Sequence, residues 1–105
     1  MPSATGSITA VGNNKFAAVF DIDGENHTFS GVANSSAPSF ASSSATLTYD
    51  RADELTATRK YNAAIAGAII IIKLSNGPSI EGTLDTPGAP GVTYNVSGTG
   101  IWGEN

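Results

Sequence analysis

The chain has 105 residues, the length of one domain with one hydrophobic core. Charged residues make up 13% of it, against about 25% in an average domain, and the net charge is −4. No basic cluster exceeds Arg59-Lys60, which excludes nucleic acid as a partner, and the lack of cysteine excludes disulfides, thiolate nucleophiles and cysteine metal sites.

Residues 1–6 hold neither the basic nor the apolar part of a signal peptide and read as a flexible start. The weakly charged, Ser/Thr-rich composition nevertheless favours a secreted, extracellular setting. Residues 7–11 form a short strand that ends at Gly12-Asn13-Asn14. The next two strands, residues 15–22 and 25–32, flank Asp23-Gly24, a preferred pair for a two-residue type I′ turn. That turn sets Ile22 opposite Glu25, Phe20 opposite His27 and Ala18 opposite Phe29. Phe16, Ala18, Phe20, Ile22 and Phe29 then share the inward face.

Residues 33–44 are Ser/Ala-rich and contain Pro38, the composition of a loop or a broken edge strand. Residues 45–49 alternate as a strand with Leu47 inward. Residues 50–55 suit one helical turn, with Asp50 as cap and Asp53 and Glu54 at its positive end. Residues 56–66 show no helical stripe and read as a strand.

The run Ala68-Ile69-Ile70-Ile71-Ile72-Lys73-Leu74 is too short to span a bilayer and is bracketed by Gly67 and Asn76-Gly77-Pro78. Its β-branched side chains suit a strand. Side chains alternate between faces, so Ile70, Ile72 and Leu74 take one side and Ile69 and Ile71 the other. Such a strand is either covered twice or offers an outer apolar stripe to a partner. A two-residue Asn76-Gly77 turn is excluded, because it would place Pro78 where an amide must donate. A three- or five-residue loop that pairs Leu74 with Ile80, Ile72 with Gly82 and Lys73 with Glu81 is expected instead. A turn over residues 86–91 leads to a strand over 92–98, and residues 100–102 finish the chain. Seven or eight short strands with almost no helix point to an all-β fold. A small closed antiparallel β-barrel fits best, since closure removes the edges that charges would otherwise guard; a β-sandwich is the alternative.

The order Thr28-Phe29-Ser30-Gly31, then Leu47-Thr48-Tyr49-Asp50, then an apolar strand and finally Gly98-Thr99-Gly100-Ile101-Trp102 resembles the virulence-associated protein (Vap) family. The likeness covers roughly residues 28–102 and departs in the Ser/Ala-rich stretch, where that family is glycine-rich, and in lacking a secretion signal. It implies a small antiparallel barrel with Greek-key connections, non-catalytic and secreted, that acts on or near membranes and lipids.

The residues themselves point away from catalysis. Asp21-Ile22-Asp23-Gly24-Glu25 suggests calcium, but an EF-hand loop would need Gly and Glu where Asn26 and Val32 stand. His27 is the only histidine, no G-x-S-x-G elbow occurs, and a single histidine among twelve serines defines no triad. No metal, no cofactor and no enzymatic activity are expected. Three readings remain, all of them binding or assembly. The first is contact with lipid, a membrane surface or an apolar protein through the outward Ile69 and Ile71. The second is a lectin-like module in which Trp102, with Tyr94 and other tyrosines, forms a stacking plate for sugar, unless Trp102 plugs the barrel with its N–H on a carbonyl. The third is a structural homo-oligomer joined through the isoleucine strand.

Overall fold

Eight antiparallel strands close into a barrel in the computed structural model, which describes residues 3–10, 14–22, 24–33, 41–51, 54–85 and 93–104. The strands are β1 (Ser3–Ala10), β2 (Lys15–Ile22), β3 (Glu25–Ala33), β4 (Ala41–Thr48), β5 (Thr58–Ala66), β6 (Ile69–Leu74), β7 (Ser79–Thr83) and β8 (Thr93–Glu104). Around the barrel they run β1-β2-β3-β8-β5-β6-β7-β4, and β4 returns to β1. Each half of the chain is therefore a meander of three strands whose fourth lies beside the first. That is the order of a Greek key. Adding four to each strand number reproduces the same ring, so the two keys interlock about a pseudo-twofold axis. Closure disposes of the sandwich alternative.

The first hairpin follows the alternation of its sequence. Ile22 faces Glu25, Phe20 faces His27 and Ala18 faces Phe29, and the five expected inward residues are all buried. Gly24 holds φ of 84°, the left-handed value such a turn requires; Asp23 lies outside the described residues. The second hairpin differs from expectation by two residues. Ile72 faces Ile80, Lys73 faces Ser79, and Glu81 stands opposite Ile71 rather than Lys73. Pro78 is the cause. Its carbonyl accepts from Leu74 N at 2.9 Å, closing a three-residue loop, and Gly77 N donates to Leu74 O at 3.3 Å where proline has no hydrogen to give. A shift of two keeps every side chain on its face, so Ile70, Ile72 and Leu74 are inward as expected.

Three further boundaries differ. Ser3 to Gly6 belong to β1, paired with β4, and are not a loose start. β4 begins at Ala41 and lies between β1 and β7 instead of at an edge; residues 34–40, with Pro38, are outside the described residues. Its serines form a bulge, since Gly6 pairs with Ala45 but Ile8 with Ser42, leaving Ser43 and Ser44 opposite Ser7 alone. The carboxylate of Asp85 accepts from Ser43 N at 3.0 Å and Ser43 Oγ at 2.9 Å, satisfying the amide that the bulge frees. Finally, the strand expected over 92–98 and the closing residues 100–102 belong to one strand, β8, which pairs with β5 over residues 93–101 and with β3 over residues 98–104. The turn expected at 86–91 lies outside the described residues.

The interior holds large rings beside glycines. Phe16, Phe29, Tyr61 and Trp102 form a continuous aromatic stack, with Phe29 and Trp102 centroids 5.0 Å apart and Phe16 and Tyr61 5.3 Å apart, edge to face. A Cβ on Gly31 would overlap the Phe16 ring, and one on Gly100 the Phe29 ring. One end is closed by Leu55, buried under a turn rather than a regular helix. Here Glu54 Oε1 accepts from Asp50 N at 2.9 Å and Arg51 N at 3.1 Å, while the amides that Asp50 was expected to cap, at residues 52 and 53, lie outside the described residues. Asn76 Nδ2 donates to Glu54 O at 3.0 Å and ties this turn to the β6–β7 loop.

Two tests follow from this packing. Gly100→Ala is expected to lose about 1–3 kcal/mol of stability in urea denaturation through overpacking, whereas Gly103→Ala, with nothing near its added methyl, is expected to be close to neutral. The two amides, foremost, and the Arg51 and Arg59 charges after them hold the Glu54 carboxyl below its usual value. Folding thus lowers its pKa, and its stabilisation is fully present above the unfolded value of about 4.3 and lost as pH falls through the folded one. The gap in melting temperature between the parent and Glu54→Ala is expected at pH 7 and should close on acidification below pH of about 4.

Candidate functional site

Alternation sorts each strand into an inner row that fills the barrel and an outer row that meets solvent. Inside are the aromatic rings, isoleucines and leucines. The outer rows are mostly Ser, Thr, Asn and Lys. A bilayer-spanning barrel has the opposite pattern, an apolar outer band around a polar interior. The features of interest are the places where this outer surface departs from its polar norm.

One side carries such departures. The outward positions of β3, β8, β5 and β6, adjacent in that order, include Val32, Ile101, Ile69 and Ile71. Ile101 is 59% exposed, Val32 45% and Ile69 39%, while Ile71 is half-buried. Ile101 lies diagonally across from Val32, whose own partner is Thr99. Ile69 and Ile71 are flanked by Ala66 and Ala64 of β5. Between the two aliphatic groups runs the β5–β8 seam, with two shallow depressions that share Asn62 and Ser97. One, of about 310 Å³, adds Asn95; the other, of about 430 Å³, adds Lys60, Ser75 and Thr99. Ser75 N donates to Lys60 O at 2.9 Å and fixes the β6–β7 loop against the seam.

The site residues named from the sequence fall in different places. Ile69 and Ile71 point outward as expected. Tyr94 is 40% exposed, but Trp102 is only 6% exposed and packs on Phe29. The two occupy the same strand eight positions apart, about 26 Å along it, so they form no common plate for a sugar ring. Trp102 is part of the core, yet its Nε1 is buried with no partner among the described residues, contrary to the expected bond to a carbonyl. His27 sits beside Phe20, buried, and its Nδ1 likewise finds no partner among the described residues. Tyr61 is a third such group, its phenol pushed above the usual value by burial. The Asp21 carboxylate at the hairpin tip accepts from Gly24 N at 3.1 Å and is employed in the turn. Among the described residues no group of three or more His, Cys, Asp or Glu is placed to hold a metal ion.

Val32, Ile101 and the seam were missed in the sequence. The first two were within reach, because inward Phe29 and Trp102 oblige Val32 and Ile101 to point out. The seam was not, since Asn62 and Ser97 meet only through the β5–β8 pairing. Comparison with protein-family models, with curated proteins and with solved structures gives no match.

Proposed function

We propose that this barrel is a non-catalytic binding module that engages a protein segment along the β3–β8–β5–β6 wall. The observation that carries the reading is the outward placement of Ile101, Val32 and Ile69 on a barrel whose interior is already filled by other residues. Those side chains add nothing to the core, and covering them returns free energy in proportion to the apolar area removed from water. Closure leaves no free strand edge, so recognition by strand addition is not open to this fold. Contact must come through side chains on the wall.

The resemblance to the Vap family implies membranes and lipids, but the residues favour protein. Insertion at a bilayer surface is typically anchored by Trp and Tyr, and here Trp102 is in the core. Sugar recognition through an aromatic plate lacks its Trp102 half for the same reason. The wall also fits a segment better than a second copy. From the Ile101 level, opposite Thr58, to the Ile69 level, opposite Ala66, the wall runs over the length of β5. Four strands at about 4.8 Å spacing and roughly nine residues at about 3.3 Å each span about 570 Å², below the roughly 800 Å² per partner of a stable interface.

A displayed library of short random peptides, selected on the parent barrel and counter-selected on an Ile69→Asn/Ile101→Asn variant, tests this. Enriched peptides are expected to be apolar and to bind the folded variant at least about tenfold more weakly. Recovery of no wall-dependent peptide would overturn the protein reading, and co-sedimentation on phosphatidylcholine vesicles or a glycan-array signal would then assign the wall to lipid or sugar.

A further inference from the structure

The charges on the same wall restrict what kind of segment fits it. The outward positions of β3, β8, β5 and β6 contain two ionised side chains, Lys60 and Lys73, and no carboxylate. This is the reverse of the whole chain, where nine acidic residues outnumber five basic ones. The exposed carboxylates among the described residues lie elsewhere, on Asp21, Glu25, Asp50, Glu81 and Asp85. Lys60 lines the larger depression with Asn62, Ser75, Ser97 and Thr99. Lys73 is the cross-strand partner of Asn62, so the two lysines border one amide from adjacent strands. Every polar side chain lining that depression can donate a hydrogen bond, and none is an anion.

The geometry points to an acidic-and-apolar peptide segment as the occupant. Its carboxylates lie in the β5–β8 seam against Lys60, Lys73 and the seam's hydroxyl and amide donors. Its apolar side chains cover Ile101 and Val32 toward one end of the wall, level with Thr58 and Lys60, and Ile69 and Ile71 toward the other, level with Ala66 and Ala64. Charge complementarity is the argument, because a neutral or basic segment would leave Lys60 facing no opposite charge and Lys73 with only Glu81, its diagonal neighbour on β7. A second copy docked symmetrically would bring Lys60 and Lys73 against their own equivalents, which like-charge repulsion disfavours. The inference rests on the protein reading above and adds the chemistry of the partner.

The peptides recovered from the selection supply the test, since acid content is read independently of whether binding depends on the wall. They are expected to be enriched in Asp and Glu beside apolar residues. A synthetic peptide of that composition should bind about fivefold more weakly to Lys60→Glu or Lys73→Glu at low salt, the scale of one exposed ion pair. In 1 M salt, where the screening length falls to about 3 Å, that difference should vanish. The same peptide with Asn and Gln in place of its acids should bind the parent and both variants alike. Wall-dependent peptides without acids, or acidic peptides indifferent to the lysine variants, would overturn this inference while leaving the protein reading intact. Failure to recover any wall-dependent peptide overturns both. Binding to phosphatidylserine vesicles with the same lysine dependence, and no peptide binding, would assign the seam to anionic lipid instead.

Discussion

Everything in this barrel depends on the fit of aromatic rings against glycines. An eight-stranded barrel is just wide enough for side chains to fill, and filling it requires large residues opposite small ones. Phe16 lies over Gly31 and Phe29 over Gly100, while Tyr61 pairs with Gly98. Phe29 and Tyr61 both join the ring stack that ends on Trp102. Remove the space above Gly31 or Gly100 and a ring must leave its position, whereas a Cβ on Gly98 would meet the backbone of Val32 and Ala33. Gly98 and Gly100 of β8 are therefore packing residues first, and their backbone freedom is secondary.

The same fit explains why the motifs behind the Vap-like resemblance say little about activity. Thr28-Phe29-Ser30-Gly31 and Gly98-Thr99-Gly100-Ile101-Trp102 are two neighbouring antiparallel strands. They place Phe29 opposite Trp102 and Gly31 opposite Gly100. What looks like a signature is one half of an interlocked core, a pattern that any chain solving this packing problem has reason to repeat. Only Ile101 among these residues is both large and strongly exposed. Its presence owes nothing to filling the barrel, so it is the member of the motif that the packing problem does not explain.

How far the sequence was legible follows from where local rules suffice. Asp23-Gly24 sets the register of its hairpin, and alternation does the rest, as Phe16 through Phe29 show. Alternation also separated Ile70 and Ile72 from Ile69 and Ile71. Pro78 was read correctly as incompatible with a two-residue turn, but the loop it selects is the shorter of those considered, and Lys73 consequently lost Glu81 as its partner. Residues 41–44 were unreadable as a strand because their bulge breaks the period of two, and the amide it frees is satisfied by Asp85, forty-two positions later. The seam belongs to the same class. Its members come from β5, β8 and the β6–β7 loop, and only closure of the second Greek key brings them together.

The isoleucine strand divides its side chains between the core and the surface. Its inner side chains, Ile70 and Ile72, are fully buried and bind β6 to the core. Its outer ones flank Ala64 and Ala66 and leave a low, smooth strip beside the seam. Small alanines there expose Ile69 from the side, where bulkier neighbours on β5 would have covered it. Glu81 stands opposite Ile71 on the far side and marks where the strip gives way to an acidic, hydroxyl-rich surface. A segment lying on this wall thus meets a charge boundary along one long edge. An acidic chain that drifted across β6 would encounter Glu81, so the boundary favours occupancy of the seam over the neighbouring β7–β4 surface by repulsion as well as attraction.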